Sequence, residues 1–210
     1  MPPTLCAIDE LLRDSPQLWR GRQLAALPAR ATGFAALDAQ LPGAGWPIGA
    51  LIEIAPACAG LGELSLLLPA LQRCCEEGRS IAFVRPPYTP YAPALARCGL
   101  PLPRLLWIAA ARDEDAHWAA EQLLREGAAA VLLWSPIMAD RALRRLQLAA
   151  EAGQACAFLY RTPAQLRSSS PAALRLALSP AEDGVQVRIV KARGGHASGP
   201  VTLSLHTPFT

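Results

Sequence analysis

Between residues 80 and 160 short apolar runs alternate with helical segments, and this alternation limits the architecture more tightly than any single motif. The apolar runs are Ser80–Val84, Leu105–Ala109, Ala129–Trp134 and Ala155–Tyr160; helical patterns lie near Pro93–Cys98 and over Glu114–Glu126 and Asp140–Ala152. Strands that are apolar throughout are buried on both faces, and helical crossovers between them run such strands parallel. Upstream, an apolar strand Ala50–Ala55 leads to Leu64, Leu67, Leu68, Leu71 and Cys75, spaced for one buried helix face. Pro69 falls inside that pattern and is expected to kink the helix. After Tyr160 the alternation stops. Three runs, Leu174–Leu178, Val185–Lys191 and Val201–Leu205, are expected to form an antiparallel extension. The fold class is α/β: a mostly parallel sheet covered by helices on both faces, with an antiparallel C-terminal extension and an N-terminal arm.

The chain has 210 residues, enough for one substantial core. Residues 1–30 read as an arm, 31–206 as the core domain and 207–210 as a tail. Hydrophobic residues make up 52% and charged residues 18%, which excludes a disordered chain. No apolar run reaches the roughly 18 residues of a membrane span, and Met1-Pro2-Pro3-Thr4-Leu5-Cys6 shows no basic region followed by an apolar one, so a cytoplasmic protein without membrane contact is expected. Six cysteines occur without a C-x-x-C pair, arguing for reduced thiols and against a metal site. His117, His196 and His206 have no clustered carboxylates or thiols beside them, so neither a metal centre nor a catalytic dyad is expected.

Net charge is +3, but of 20 basic residues only Lys191 is a lysine. Arginine forks onto phosphates and carboxylates alike. Arg141, Arg144 and Arg145 share one helix face by their spacing; Arg161 and Arg167 lie in the polar loop that follows, and Arg175, Arg188, Lys191 and Arg193 in the late strands. Three readings stand for this set: a weak, salt-dependent DNA surface, a surface for an acidic protein partner, and a solvated face. The polar loop 161–170 holds no aromatic residue, so a stacking platform for single strands is unsupported. In the arm, Leu18 and Trp19 are an apolar pair flanked by Arg20 and Arg22, suited either to contact with another protein, self-association included, or to folding back on their own domain.

The turn between strand Ala50–Ala55 and its helix carries Gly60-Leu61-Gly62 where a nucleotide-binding loop would sit. A phosphate-binding loop needs a lysine on the β and γ phosphates and a hydroxyl on the metal. Leu61 and Gly62 offer neither.

Thr32-Gly33-Phe34, Leu37-Asp38 and the run Leu41–Gly49 leading into Leu51-Ile52-Glu53-Ile54 resemble the entry to the RecA recombinase core. Val185–Arg193 resembles the strand after that family's second DNA-binding loop. With Leu18-Trp19-Arg20-Gly21 and Arg85–Pro93, the chain is most similar to the ImuA family, RecA-like proteins linked to translesion DNA synthesis, over residues 5 to 206. The resemblance implies a RecA-like core that has lost its ATPase parts. Arg85-Pro86-Pro87-Tyr88 stands where a catalytic glutamate would be, with no carboxylate before Asp113, and Val131-Leu132-Leu133 runs into Trp134-Ser135 where a metal-associated aspartate would end the strand. No cofactor is therefore expected. The first DNA loop is all but deleted, and residues 161–170 correspond to a shortened second one.

What the resemblance implies is a non-catalytic adaptor made during the DNA-damage response. Its partners would be an inactive Y-family polymerase relative, ImuB, and through it an error-prone replicative-type polymerase, with RecA filaments or DNA as further contacts. Two rivals stand beside it: a SulA-like cell-division inhibitor that binds a tubulin-like GTPase, and a residual DNA-dependent ATPase.

Overall fold

A computed structural model describes residues 28–195 and 199–205. Leu18, Trp19 and Arg20, and with them the proposed contact arm, lie outside the described residues, as do Cys6, His196 and His206.

The described chain runs β1 (Ala29–Arg30), α1 (Ala35–Asp38), β2 (Trp46–Pro47), β3 (Ala50–Pro56), α2 (Leu68–Glu76), β4 (Ile81–Val84), α3 (Ala92–Arg97), β5 (Leu105–Ile108), α4 (Asp113–Arg125), β6 (Ala130–Trp134), α5 (Asp140–Gly153), β7 (Cys156–Tyr160), β8 (Leu174–Ala181), β9 (Gly184–Ala192) and β10 (Val201–Leu203). Eight strands form one sheet in the order β10-β9-β8-β3-β7-β6-β4-β5, in which β8 through β5 are parallel neighbours and β9 and β10 are antiparallel. The α/β class and the mostly parallel sheet are as expected. Of the three late runs only two are antiparallel additions, because β8 pairs parallel with β3, Glu53 opposite Arg175, and its other edge takes β9 through a hairpin.

Residues 28–30 are the part of the expected arm that falls within the described residues. Ala29 and Arg30 pair with Pro47 and Trp46 in a separate two-stranded sheet, and the Arg30 guanidinium forks onto Glu77 at 2.5 and 2.7 Å.

Alternation of side chains along the strands gives the sheet two cores. Ile52, Ile54, Phe83, Leu132 and Phe158 face α2 and α3, with Leu37 of α1 and Trp46 edge-on to Phe158. Leu51, Ala82, Val84, Val131, Leu133 and Leu159 face α4 and α5. Ala116 and Ala120 of α4 and Ala149 and Ala150 of α5 are buried in this same core, and the two helices pack against each other. The Gln147 amide, buried in this layer, accepts from Leu51 N at 2.9 Å and donates to the Gly49 carbonyl, tying α5 to the start of β3.

Pro69 does not kink a helix. It starts one: α2 begins at Leu68 with Pro69 in its first turn, and residues 62–67 are turns closed by Leu66 N to Gly62 O and Leu67 N to Leu64 O. A proline has no N–H to lose in a first turn, where that donor is unpaired anyway, so the helix forms where the ring does no harm.

Candidate functional site

Ligands of parallel α/β sheets bind outside the C-terminal ends of the strands. At that edge two loops face each other here, residues 57–67 after β3 and residues 85–91 after β4. The first turns on Gly60 and Gly62, both left-handed at φ +82° and +84°, a conformation that costs a Cβ-bearing residue about 1 kcal/mol or more. The backbone N–H of Gly60, a donor suited to a phosphate, is taken by the loop's own Glu63 carboxylate at 3.2 Å. Leu61 packs half-buried against the core, and the Tyr160 hydroxyl donates to the Glu63 carbonyl at 3.2 Å. Burial, and then the charge of Glu63, hold the Tyr160 phenol well above its ordinary range.

Between the two loops is a cavity of about 280 Å³ lined by Glu63, Leu64, Phe83, Tyr91, Leu95 and Trp134 among others. Phe83 stacks on Trp134 at 6.3 Å, and Trp134 on Tyr160 at 4.5 Å. Among the described residues no lysine, arginine or histidine lines the cavity, and a carboxylate does. A triphosphate would meet one negative charge and aromatic walls, with no cation to offset its own charge. Sequence reading located the loop but missed the aromatic stack; the signal was one aromatic ending each of β6 and β7 and a third inside β4.

The position after β4 is basic. Arg85, itself left-handed at φ +53°, pairs with Asp113 at the start of α4, so the first carboxylate after the loop is held by an ion pair. His117 and Ser135 meet at 2.9 Å, but Ser135 Oγ donates to the Ile137 carbonyl and is buried, which leaves its proton committed and its oxygen shielded. Burial lowers the His117 pKa against the attraction of Glu121.

The basic residues divide into two groups. Arg161 and Arg175 are corrections to the expected surface, because both point inward to Glu53. Glu53, a carboxylate in the middle of a fully buried strand, must be paired, since an isolated buried charge is prohibitively costly. Arg175 Nε donates to Glu53 Oε2 at 2.6 Å, Ser170 Oγ to Glu53 Oε1 at 2.7 Å, and Arg161 Nη1 lies 3.5 Å from Oε1. The remaining Arg175 donors bond the carbonyls of Gln165, Leu166 and Ser168, and so fix the shape of the loop expected to touch DNA. Burial lowers the Arg161 pKa against the attraction of Glu53. Glu53 itself was not singled out from sequence, although a lone charge inside Leu51–Ile54 was the signal.

The second group stays outside. Arg141, Arg144 and Arg145 are exposed on α5, as their spacing implies, with Arg145 Nη2 on Glu121 at 2.9 Å. Arg144 lines a cavity of about 240 Å³ with Asp140, Ser169, Ser170 and Pro171. Lys191 Nζ donates to Ser170 O at 2.8 Å and Arg193 Nη2 to Pro171 O at 3.4 Å. Three of the basic residues therefore converge on segment 169–171, while Arg167 is exposed on the turn before it and Arg188 is exposed on β9. Burial, with Arg193 and Arg175 beside it, lowers the Lys191 pKa. Among the described residues no three carboxylate, thiol or imidazole groups come together to hold a metal, and no helix is long and apolar enough to cross a membrane.

The chain is similar over part of its length to a cell division inhibitor. SulA of Edwardsiella piscicida is 35% identical to it over 98 residues, which is 46% of this chain and 58% of that protein. No protein-family model matches.

Proposed function

We propose that this chain is a non-catalytic, RecA-shaped adaptor of the DNA-damage response that works by protein contact. The reading rests on the loop after β3: its Gly60 donor is occupied by Glu63, its lysine and hydroxyl positions are Leu61 and Gly62, and the adjoining cavity is apolar. A charge-assisted hydrogen bond contributes about 1.5–3 kcal/mol and a positioned general base about 100 to 10,000-fold in rate; the loss of several together removes both binding and turnover. Its place is in translesion synthesis, recruiting ImuB and an error-prone replicative-type polymerase, with RecA filaments or DNA as further contacts.

A second reading is supported by the partial identity to SulA: inhibition of cell division through a tubulin-like GTPase. Both readings share the inert pocket and differ in partner. Titration with labelled ATP and magnesium tests the shared part, with no saturable binding and no phosphate release expected; magnesium-dependent hydrolysis by the pure protein overturns it. Parallel pull-downs against ImuB, RecA and the tubulin-like GTPase then choose, with Trp19→Ala as the arm control. Retention of ImuB or RecA is expected for the adaptor. Retention of the GTPase alone selects the inhibitor.

A further inference from the structure

We propose that the apolar cavity between the β3–α2 and β4–α3 loops is the docking site for this chain's own segment Leu18-Trp19-Arg20-Gly21-Arg22. The cavity's 280 Å³ lies just below the roughly 300–1,000 Å³ of small-molecule and cofactor sites, and suits one or two bulky side chains. Phe83 and Trp134 form its inner wall, with Leu64 and Leu95 beside them. At the rim Tyr88 and Tyr91 are 76% and 66% exposed, large aromatic faces that nothing in the described chain covers. Pro86, Pro87 and Pro90 set the backbone around them, so little conformational freedom remains to be lost on binding. The one charge in the lining is the Glu63 carboxylate, whose Oε2 is buried without a hydrogen-bond partner among the described residues.

An occupant must therefore present a bulky apolar group with a cation next to it. Trp19, with arginines at 20 and 22 and Leu18 before it, has that chemistry. Its ring fills the aromatic cavity, and a neighbouring guanidinium meets the unpaired Glu63 oxygen and the tyrosine faces. Reach permits it. Pro28 is fixed near the N-terminal ends of the strands, its carbonyl accepting from Ile48 N at 2.7 Å, and the eight residues from Arg20 to Pro28 extend to about 27 Å, more than the roughly 23 Å of a seven-residue strand.

The inference rests on the reading that this pocket takes no triphosphate. Saturable ATP binding in the titration above fails that reading, whereas the following experiment fails this one. Full-length protein carrying p-benzoylphenylalanine at position 19 is irradiated and the cross-links are mapped by mass spectrometry. Adducts are expected within residues 83–95 and at Trp134. Tyr88→Ala with Tyr91→Ala, both exposed and therefore compatible with folding, should cut their yield about tenfold, and Glu63→Gln should reduce the yield and its sensitivity to salt. Mixing isotope-labelled with unlabelled chains shows whether the docking lies within one molecule, as proposed; adducts formed only between chains overturn it. Adducts confined to other surfaces, no adducts, or yields unchanged in the tyrosine variant overturn the proposal.

Discussion

Glu53 and Arg175 stand directly opposite each other on adjacent parallel strands, Nε 2.6 Å from Oε2, each almost fully excluded from water. Arg161 joins them from the end of β7, so one carboxylate holds two guanidinium groups between the sheet and the loop 161–170. The pair does for the loop what a core does for a helix. It fixes a polar segment that has few apolar contacts of its own.

Replacing Glu53 by Gln should destabilise the fold by about 3–5 kcal/mol, because two buried guanidinium groups are left without their counter-charge. Arg175→Met should cost a similar amount and should also free the carbonyls of Gln165, Leu166 and Ser168. Urea denaturation measures the first effect. Amide exchange in residues 162–170 measures the second, and a loss of protection spread evenly over the molecule would count against a local role.

Gly153→Ala should be disruptive although it places a good helix former at a helical position. A Cβ there would lie 1.8 Å from the Leu124 carbonyl oxygen, which belongs to the packed α4–α5 layer. Overpacking of this kind costs about 1–3 kcal/mol. Thermal unfolding beside Gly127→Ala, where a Cβ meets nothing within 4 Å but φ is +97°, separates the clash from backbone strain alone.

Stability should fall on the alkaline side. Burial pushes the Cys156 thiol from its ordinary value of 9.0 up to about 12, so the folded chain keeps a proton that the unfolded chain releases near 9. The contribution is fully present below pH 9 and is lost as pH rises toward 12, at about 1.4 kcal/mol per pH unit for this one group. Urea midpoints compared between roughly pH 8 and pH 10 should drop more steeply in the wild type than in Cys156→Val; equal slopes would rule the thiol out as the source.

Arg144→Glu with Arg145→Glu should weaken any DNA retention and flatten its salt dependence by about 0.9 in log–log slope for each phosphate no longer neutralised. Both arginines are exposed, but Arg145 pairs with the buried Glu121 carboxylate, so its reversal should also destabilise the fold, whereas Arg144→Glu alone should change stability by less than about 0.5 kcal/mol. A filter-binding series across salt concentrations reads the slope. Unchanged retention removes α5 from the surface and leaves Arg167, Arg188, Lys191 and Arg193.

Much of the fold is legible in the residues alone. The alternation from Ser80 to Tyr160 places the parallel strands and the helices between them nearly where they lie, because burial of a strand on two faces and of a helix on one leaves different periods in the chain. The missing lysine and hydroxyl at Leu61 and Gly62 are likewise a matter of residue identity.

Spacing could not say which side of the sheet Arg161 and Arg175 would face, since an arginine is suited equally to a solvated loop and to a buried carboxylate, and only the β3–β8 register put Glu53 within reach. Nor could it say where α2 starts, because Pro69 is tolerated in a first turn and not in a second. The sequence by itself determined most of the strands and helices of the large sheet and the absence of a lysine and a hydroxyl at Leu61 and Gly62, properties of residue type and local period. Only the tertiary structure decided which charges are buried, that β8 runs parallel to β3, and that Phe83, Trp134, Tyr88 and Tyr91 enclose one apolar cavity. Those depend on contacts between segments far apart in the chain, and local periodicity carries no record of them.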